Sequence, residues 1–282
     1  MKLGNIFSRR NRILLRELVV TDFKLRYQGS VLGYLWSLLK PLLLFAILYV
    51  VFVNFLKIGA NTEHFAVYLL LGVVLWTFFV EATSQGMSAI VARGDLIRKI
   101  NFPKYIIVIS GTISALINLI LNLLVVFVFV LLNGVDIHWS VLMLPFYILE
   151  LYVLALAIAF LRAAVYVKYR DVGHIWEVFM QGVFYATPIL YPVQMLAGKD
   201  VLTLHQVLAS SHLYIIQIIM LNPVAQAVQG ARYSAITHQA ITTDQLFSDP
   251  LWLTLPYILI GVTVVLAVWY FKKTQGYFAE NV

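Results

Sequence analysis

Six long apolar runs, separated by shorter polar or charged stretches, set the pattern of this chain: Trp36–Leu56, Phe65–Ser84, Tyr105–Leu132, Val141–Val167, His174–Tyr191 and Leu251–Phe271. A helix needs about 20 mostly apolar residues to cross the hydrocarbon core of a bilayer, and each run is read as one crossing. The runs are continuous and lack period-two alternation, which predicts helices rather than barrel strands. Tyr105–Leu132 exceeds what a perpendicular crossing requires, so it predicts tilt or an extension beyond the membrane.

Three stretches between the runs have patterns of their own. Arg9 to Tyr27 carries Leu14, Leu15, Leu18 and Leu25 on one helical side and Arg12, Arg16 and Lys24 elsewhere, with Val20 and Phe23 interrupting. Such a helix lies in the membrane interface with its basic side chains at the phosphates, or it is simply a charged anchor for the first span. Arg93 to Lys104 mixes charges with Leu96, Ile97, Ile100 and Phe102 and ends on Pro103 before the third run. It predicts a short amphipathic helix that exposes apolar residues as a docking surface, or else a loop lying on the membrane. Pro192 to Pro250 holds two apolar pieces, Leu213 to Leu221 and Val224 to Ile236, divided at Asn222-Pro223. Both are too short to cross. They predict re-entrant or interfacial helices, the alternative being a small external subdomain with its own core.

Composition agrees with the pattern. The chain has 282 residues, 62% hydrophobic and 12% charged, with mean hydropathy +0.89; a soluble domain carries about 25% charged residues. Net charge is +7. In a soluble protein that excess would raise nucleic acid as a partner, but here the charges flank apolar spans and anionic lipid headgroups fit better. With the spans threaded in turn, all Lys and Arg except Lys57, Lys199 and Arg232 fall on the same side of the membrane as the N-terminus, which predicts that both termini are cytoplasmic. The N-terminal run is too long for a cleaved signal core. There are no cysteines, which removes disulfides, thiolate metal sites and thiol nucleophiles. No internal repeat or low-complexity linker divides residues 1–282, so one membrane domain is expected.

Candidate chemistry is sparse. Ser110, Ser114, Asn118 and Asn122 recur every four residues in the third run and form one polar stripe on a helix; it predicts packing between helices or a pathway lining. Glu81 and Glu177 lie near cytoplasmic ends of their runs, whereas Glu150 is deeper, and an acid inside a span is a functional candidate. Thr187-Pro188 and Tyr191-Pro192 break the outer end of the fifth run, because proline removes a backbone donor. The chain contains no P-loop and no HExxH, its six histidines are scattered, and no acid cluster suits magnesium.

These segments together resemble a known family. Arg16-Glu17-Leu18-Val19-Val20-Thr21-Asp22-Phe23-Lys24-Leu25-Arg26-Tyr27, then Gly29-Ser30-Val31-Leu32-Gly33-Tyr34-Leu35-Trp36 and Pro41, resemble the opening of bacterial polysaccharide-export permeases. The likeness continues in Ile97-Arg98-Lys99, Phe102-Pro103-Lys104 and Tyr169-Arg170-Asp171-Val172. Further on it includes Thr187-Pro188-Ile189-Leu190-Tyr191, Asn222-Pro223 and Phe278-Ala279-Glu280. Those permeases are the membrane subunits of ATP-binding-cassette exporters of the second type, for O-antigen, capsule and wall teichoic acid.

The resemblance implies an all-α integral membrane fold of six spans, with an interface helix over 9–27, a coupling helix over 93–103 and an external gate region over 192–250. It implies a homodimer that binds two copies of a separate ATPase, and ATP-driven flipping of a polyprenyl-diphosphate-linked polymer with no covalent step in this chain. Arg93, Asp95, Leu96, Ile97, Arg98, Lys99, Asn101, Phe102 and Pro103 would meet the ATPase. Arg12, Arg16, Lys24, Arg26 and Lys40, on position, would hold the diphosphate. Ser110, Ser114, Asn118, Asn122, Glu150, Pro188, Tyr191 and Pro192 would serve the gate or channel. No cofactor is expected in this chain, ATP and magnesium belonging to the ATPase, and the location implied is the bacterial cytoplasmic membrane. Three rival readings are an exporter of small amphipathic drugs or lipids, a membrane enzyme acting on lipid-linked sugars, and a channel, which would not need a coupling loop.

Overall fold

The computed structural model of the protein describes residues 8–26, 29–57, 62–100, 102–198 and 203–278. Every regular element among them is helical. Helix α1 covers Arg9–Arg26, and α2 covers Leu35–Tyr49 and continues as π-helical turns through Val50–Phe55. Helices α3 (Phe65–Ala92), α4 (Gly94–Lys99) and α5 (Tyr105–Leu132) follow, then α6 (Leu144–Tyr166) behind a 3-10 turn at Trp139–Met143. Next come α7 (Val172–Ala186), α8 (Leu204–Leu208), α9 (Leu213–Met220), α10 (Pro223–Ala235), α11 (Thr243–Leu246) and α12 (Pro250–Thr274).

Helix ends follow local chemistry. Pro223 and Pro250 each stand at a first helical position, where a missing N–H costs nothing. The residue before each caps the helix: Asn222 accepts from Val224 N at 3.0 Å, and Asp249 accepts from Leu251 N at 2.9 Å.

Helix α3 is the centre. Its most apolar window is 78% buried, against 11 to 33% for α2, α5, α6 and α12. Its buried side chains join those of α5, α6 and α10 in one core, while Thr77, Glu81, Ser84 and Gln85 form a polar strip along one side. The outer helices leave long apolar faces uncovered, such as Ile120, Leu124, Phe127 and Leu131 on α5 and Val262, Val265 and Trp269 on α12. Lipid is the solvent that accepts such faces.

Two smaller cores sit at the ends. At the N-terminal end, Leu18 of α1 packs with Ile97, Phe102, Ile106, Ala163 and Phe278. At the opposite end, Val193, Val207, Ile216, Met220, Ile241 and Leu246 form a separate cluster under the turns of 192–250. That region has an apolar core of its own, and one of its helices, α10, enters the main core. Helices α9 and α10 meet at a bend of 96°, where Asn222-Pro223 breaks the chain.

Among the described residues, five helices are long and apolar enough to cross a membrane, or six if the bent α9–α10 pair counts as one span. The expected fifth span, His174–Tyr191, departs from the pattern. Its helix stops at Ala186 after 15 residues, about 22 Å at 1.5 Å per residue and short of a hydrocarbon core of about 30 Å. The Thr187-Pro188 break ends it sooner than the apolar run ends.

Candidate functional site

Three helices each present a row of side chains at helical spacing to one groove. On α2 the row includes Trp36, Lys40 and Leu44; on α3 it is Trp76, Val80 and Ser84 beside Thr77, Glu81 and Gln85. On α7 it is Trp176, Met180 and Phe184 beside Glu177, Gln181 and Tyr185. The groove has two sections that share Leu44, Trp76, Val80 and Ser84. The α2–α3–α5 section encloses about 690 Å³ and the α3–α7 section about 550 Å³. Trp76 and Phe184 meet across it with ring centroids 5.6 Å apart.

The polar groups are held in place by one another. Gln85 Nε2 and Asn118 Nδ2 both donate to Glu81 Oε1 at 2.7 Å. Asn122 Nδ2 donates to the Ser37 carbonyl at 3.2 Å and to the Asn118 carbonyl at 2.8 Å. Asn118 and Asn122 thus line the groove and also bind α5 to α3 and α2. Ser110 and Ser114 belong to the same stripe but not to the groove: Ser114 Oγ donates to the Ser110 carbonyl at 3.0 Å, and Ser110 is taken up by Arg93.

Arg93 stands at the corner between α3 and α4. Its guanidinium donates to Ser110 Oγ at 2.9 Å and to the Leu18 carbonyl at 3.3 Å, and pairs with the Asp22 carboxylate. It therefore ties α1, α4 and α5 together and is not presented outward. The expectation of an apolar docking face on this segment needs correction. Ile97 and Phe102 are buried and Leu96 half-buried in the N-terminal core, because burying them against Leu18 and Ile106 removes apolar surface from water. Outward face Asp95, Arg98, Lys99 and Ile100, while Pro103 is half-buried. Asn101 and the Arg26 side chain lie outside the described residues.

Helix α1 buries Leu18 and half-buries Leu14 and Leu15 as its pattern predicts, but Leu25 is exposed. Arg12, Arg16 and Lys24 are exposed along it, and the exposed Lys40 reaches the groove from α2. These basic residues are spread over two helices rather than gathered into one pocket.

At the far end the α7 break is organised by the one cation of the apolar piece Val224 to Ile236. Arg232 of α10 is 0% exposed. Its Nε donates to the Tyr68 carbonyl at 3.0 Å, its Nη2 to the Ile189 carbonyl at 2.6 Å, and its Nη1 to the carbonyl of Pro188 and to Gln229 Oε1. The Tyr68 ring lies 3.7 Å beneath the guanidinium carbon. Pro188 and Pro192 are buried beside it, and Tyr191 Oη donates to the Tyr185 carbonyl at 3.2 Å, which links this break to the groove's rim. Glu150 lies elsewhere, buried between α6 and α10.

Arg162 of α6 is a second buried cation. It is buried behind Trp176, 4.2 Å from that ring, and donates to the Thr83 carbonyl at 3.0 Å and to Met87 Sδ. A cation inside an apolar run was the available signal for both arginines. The groove aromatics had none, since an aromatic row at helical spacing equally describes a packed core.

The groove offers flat aromatic faces with amide, hydroxyl and carboxylate groups between them. Such a surface suits a hydroxyl-rich chain whose C–H faces lie on rings and whose hydroxyls find acceptors.

Comparison with known proteins matches residues 13–236 to the family described as ABC-2 type transporter. The chain is 29% identical over 275 residues to the O-antigen export system permease protein RfbA of Myxococcus xanthus, covering 96% of each. It is 26% identical over 199 residues to a protein of the same name from Klebsiella pneumoniae, covering 70% of this chain and 74% of the relative.

Proposed function

The chain belongs to the ABC-2 type transporter family, and from that premise we propose that it is the permease subunit of an ATP-driven exporter of lipid-linked O-antigen polysaccharide. The relatives named for O-antigen export favour that polymer over capsule or teichoic acid. Two copies pair in the bacterial cytoplasmic membrane with their termini in the cytoplasm, and each carries one ATPase subunit against α4. ATP and magnesium reside in that partner, and this chain needs no cofactor and binds no nucleic acid.

The observation that carries the reading is the groove with three helical rows. A single chain leaves it open along one side, and a second copy would close it into a pathway for the glycan. Trp36, Trp176 and Tyr185 provide stacking faces, and Glu81, Gln85, Asn118 and Gln181 take the hydroxyls. The diphosphate approaches along α1, where Arg12, Arg16 and Lys24 line the entry and Lys40 stands at the groove's mouth. The polyprenyl tail stays in lipid. Asp95, Arg98 and Lys99 transmit the ATPase stroke, with Arg93 holding the corner from which they project. The α9–α10 bend and the Pro188–Pro192 break form the outer gate.

Ser84 lies where both groove sections meet, so Ser84→Trp tests the path directly. With its ATPase co-expressed, this variant should assemble and hydrolyse ATP yet export less than about a tenth of the parent's polymer, since an indole fills the space a sugar needs. Export at the parental level would exclude the groove as the path.

A further inference from the structure

Glu150 is 7% exposed, and neither of its carboxyl oxygens has a hydrogen-bond partner. It stands on α6 about 9 Å from the helix's first residue. Its polar neighbour is Gln226 of α10, itself 6% exposed. The Gln226 amide nitrogen donates to Tyr257 Oη of α12 at 3.0 Å, and its Oε1 is left without a donor. Gln226 is the polar side chain that reaches Glu150, but its nitrogen is engaged by Tyr257, so three acceptor oxygens, two from α6 and one from α10, are left without a donor.

A carboxylate in this position would be a buried charge without a counter-ion among the described residues. Tyr147 and Tyr257 interact electrostatically with it, Asp244 and Tyr233 interact with those tyrosines, and none of these is a cation. Arg232, the buried cation of α10, is committed to carbonyls, Gln229 and the Tyr68 ring. Turning the Gln226 amide over would give the carboxylate one donor and still leave its charge uncompensated, which is the costly state inside a membrane protein. One proton on Glu150 removes both defects, because a carboxylic acid is a donor as well as an acceptor.

We propose that Glu150 and Gln226 form a proton-binding site, in which Glu150 is a neutral carboxylic acid whose O–H donates to Gln226 Oε1. The bond completes a chain from α6 through α10 to α12 and holds the gate helix to two spans. Beside it the Tyr147 ring packs so closely on Gly230 that no Cβ fits there, so α10 is held at that face by both shape and a hydrogen bond. The consequence for gating rests on the export reading; the location of the proton does not.

Infrared spectroscopy of the full-length protein in lipid nanodiscs reads the proton directly. The parent should show the carbonyl stretch of an un-ionised carboxylic acid, and Glu150→Gln should lose it. Should Glu150→Gln fail to fold, carbon-isotope-labelled glutamate assigns the same band in the parent. Export with the ATPase co-expressed reads the consequence. Glu150→Gln, an isostere of the neutral acid that still has a donor, should stay within about twofold of the parent, whereas Glu150→Leu, which has none, should fall about tenfold. No acid band, or one that persists in Glu150→Gln, overturns the proton site. Loss of export in Glu150→Gln together with sodium dependence of the parent overturns it in favour of a carboxylate holding a hard cation. A band lost in Glu150→Gln with export intact in Glu150→Leu keeps the proton and removes its role in the gate. An acid band in a protein that carries no polymer at all would leave the proton site standing and reject the export reading.

Discussion

Arg93, Arg162 and Arg232 sit at three different depths, and each is satisfied in a different way. Arg93 pairs with the Asp22 carboxylate near the N-terminal end, Arg162 stacks under Trp176, and Arg232 is enclosed by backbone carbonyls. Guanidinium suits all three because it has five fixed donors and a flat face. The Arg93–Asp22 pair joins the corner beside α4 to the amphipathic helix, so its loss should loosen α1. Asp22→Asn and Arg93→Gln should each destabilise the protein by about 1–3 kcal/mol, with a double-mutant coupling energy of roughly 1 kcal/mol or more. Thermal unfolding of the four proteins in one detergent measures this, and additive effects would show that the pair does not bear on stability. Arg93 was legible as a basic residue of a loop, but not as a strut. Its partner Asp22 lies 71 residues away in sequence, and no local pattern connects them.

Among the elements, α3 and α7 show what hydrophobic runs can and cannot predict. The α3 run was legible as a span, but packing decided its central position, since α3 is 78% buried in its most apolar window and still carries Thr77, Glu81, Ser84 and Gln85 along the groove. The α7 run looked like a span of equal standing, yet its helix breaks at Thr187-Pro188, and the freed carbonyls of Pro188 and Ile189 are taken by Arg232. This junction leaves no spare room. A Cβ at Gly72 of α3 would overlap the Arg232 guanidinium and lie 2.9 Å from its carbon and 3.3 Å from the Ile189 carbonyl oxygen. Gly72→Ala should therefore displace the guanidinium and cost on the order of 3 kcal/mol, as a disrupted buried cation does. Gly182→Ala, where nothing lies within 4 Å, should be neutral or stabilise by up to about 1 kcal/mol. Melting temperatures of the two variants decide the point: equal behaviour would mean that the enclosure contributes nothing.

For the whole molecule, the distribution of charge predicts how it lies in the membrane. The chain has no cysteine, so single introduced thiols report without background. Gly134→Cys, beyond the end of α5, should react with a membrane-impermeant maleimide added to spheroplasts. Asp95→Cys on α4 should react only after the membrane is opened. The reverse pattern would invert the orientation drawn from the basic residues.

What the sequence by itself determined is the class of molecule and the positions of most of its helices. Apolar runs and proline breaks act through nearest-neighbour geometry and transfer into lipid, and both are properties of a local window. It also contained the family likeness that the match over residues 13–236 supports. Tertiary structure decided which faces of those helices meet. Only packing brought Trp36, Trp76 and Trp176 from three separate helices to one groove, turned Ile97 and Phe102 inward, and enclosed Arg232. It likewise set Glu150 beside Gln226, 76 positions apart in the numbering of the chain. The physical reason is that a bilayer rewards any apolar face equally, so hydropathy alone selects no partner; steric fit and the need to satisfy each buried polar group make that choice.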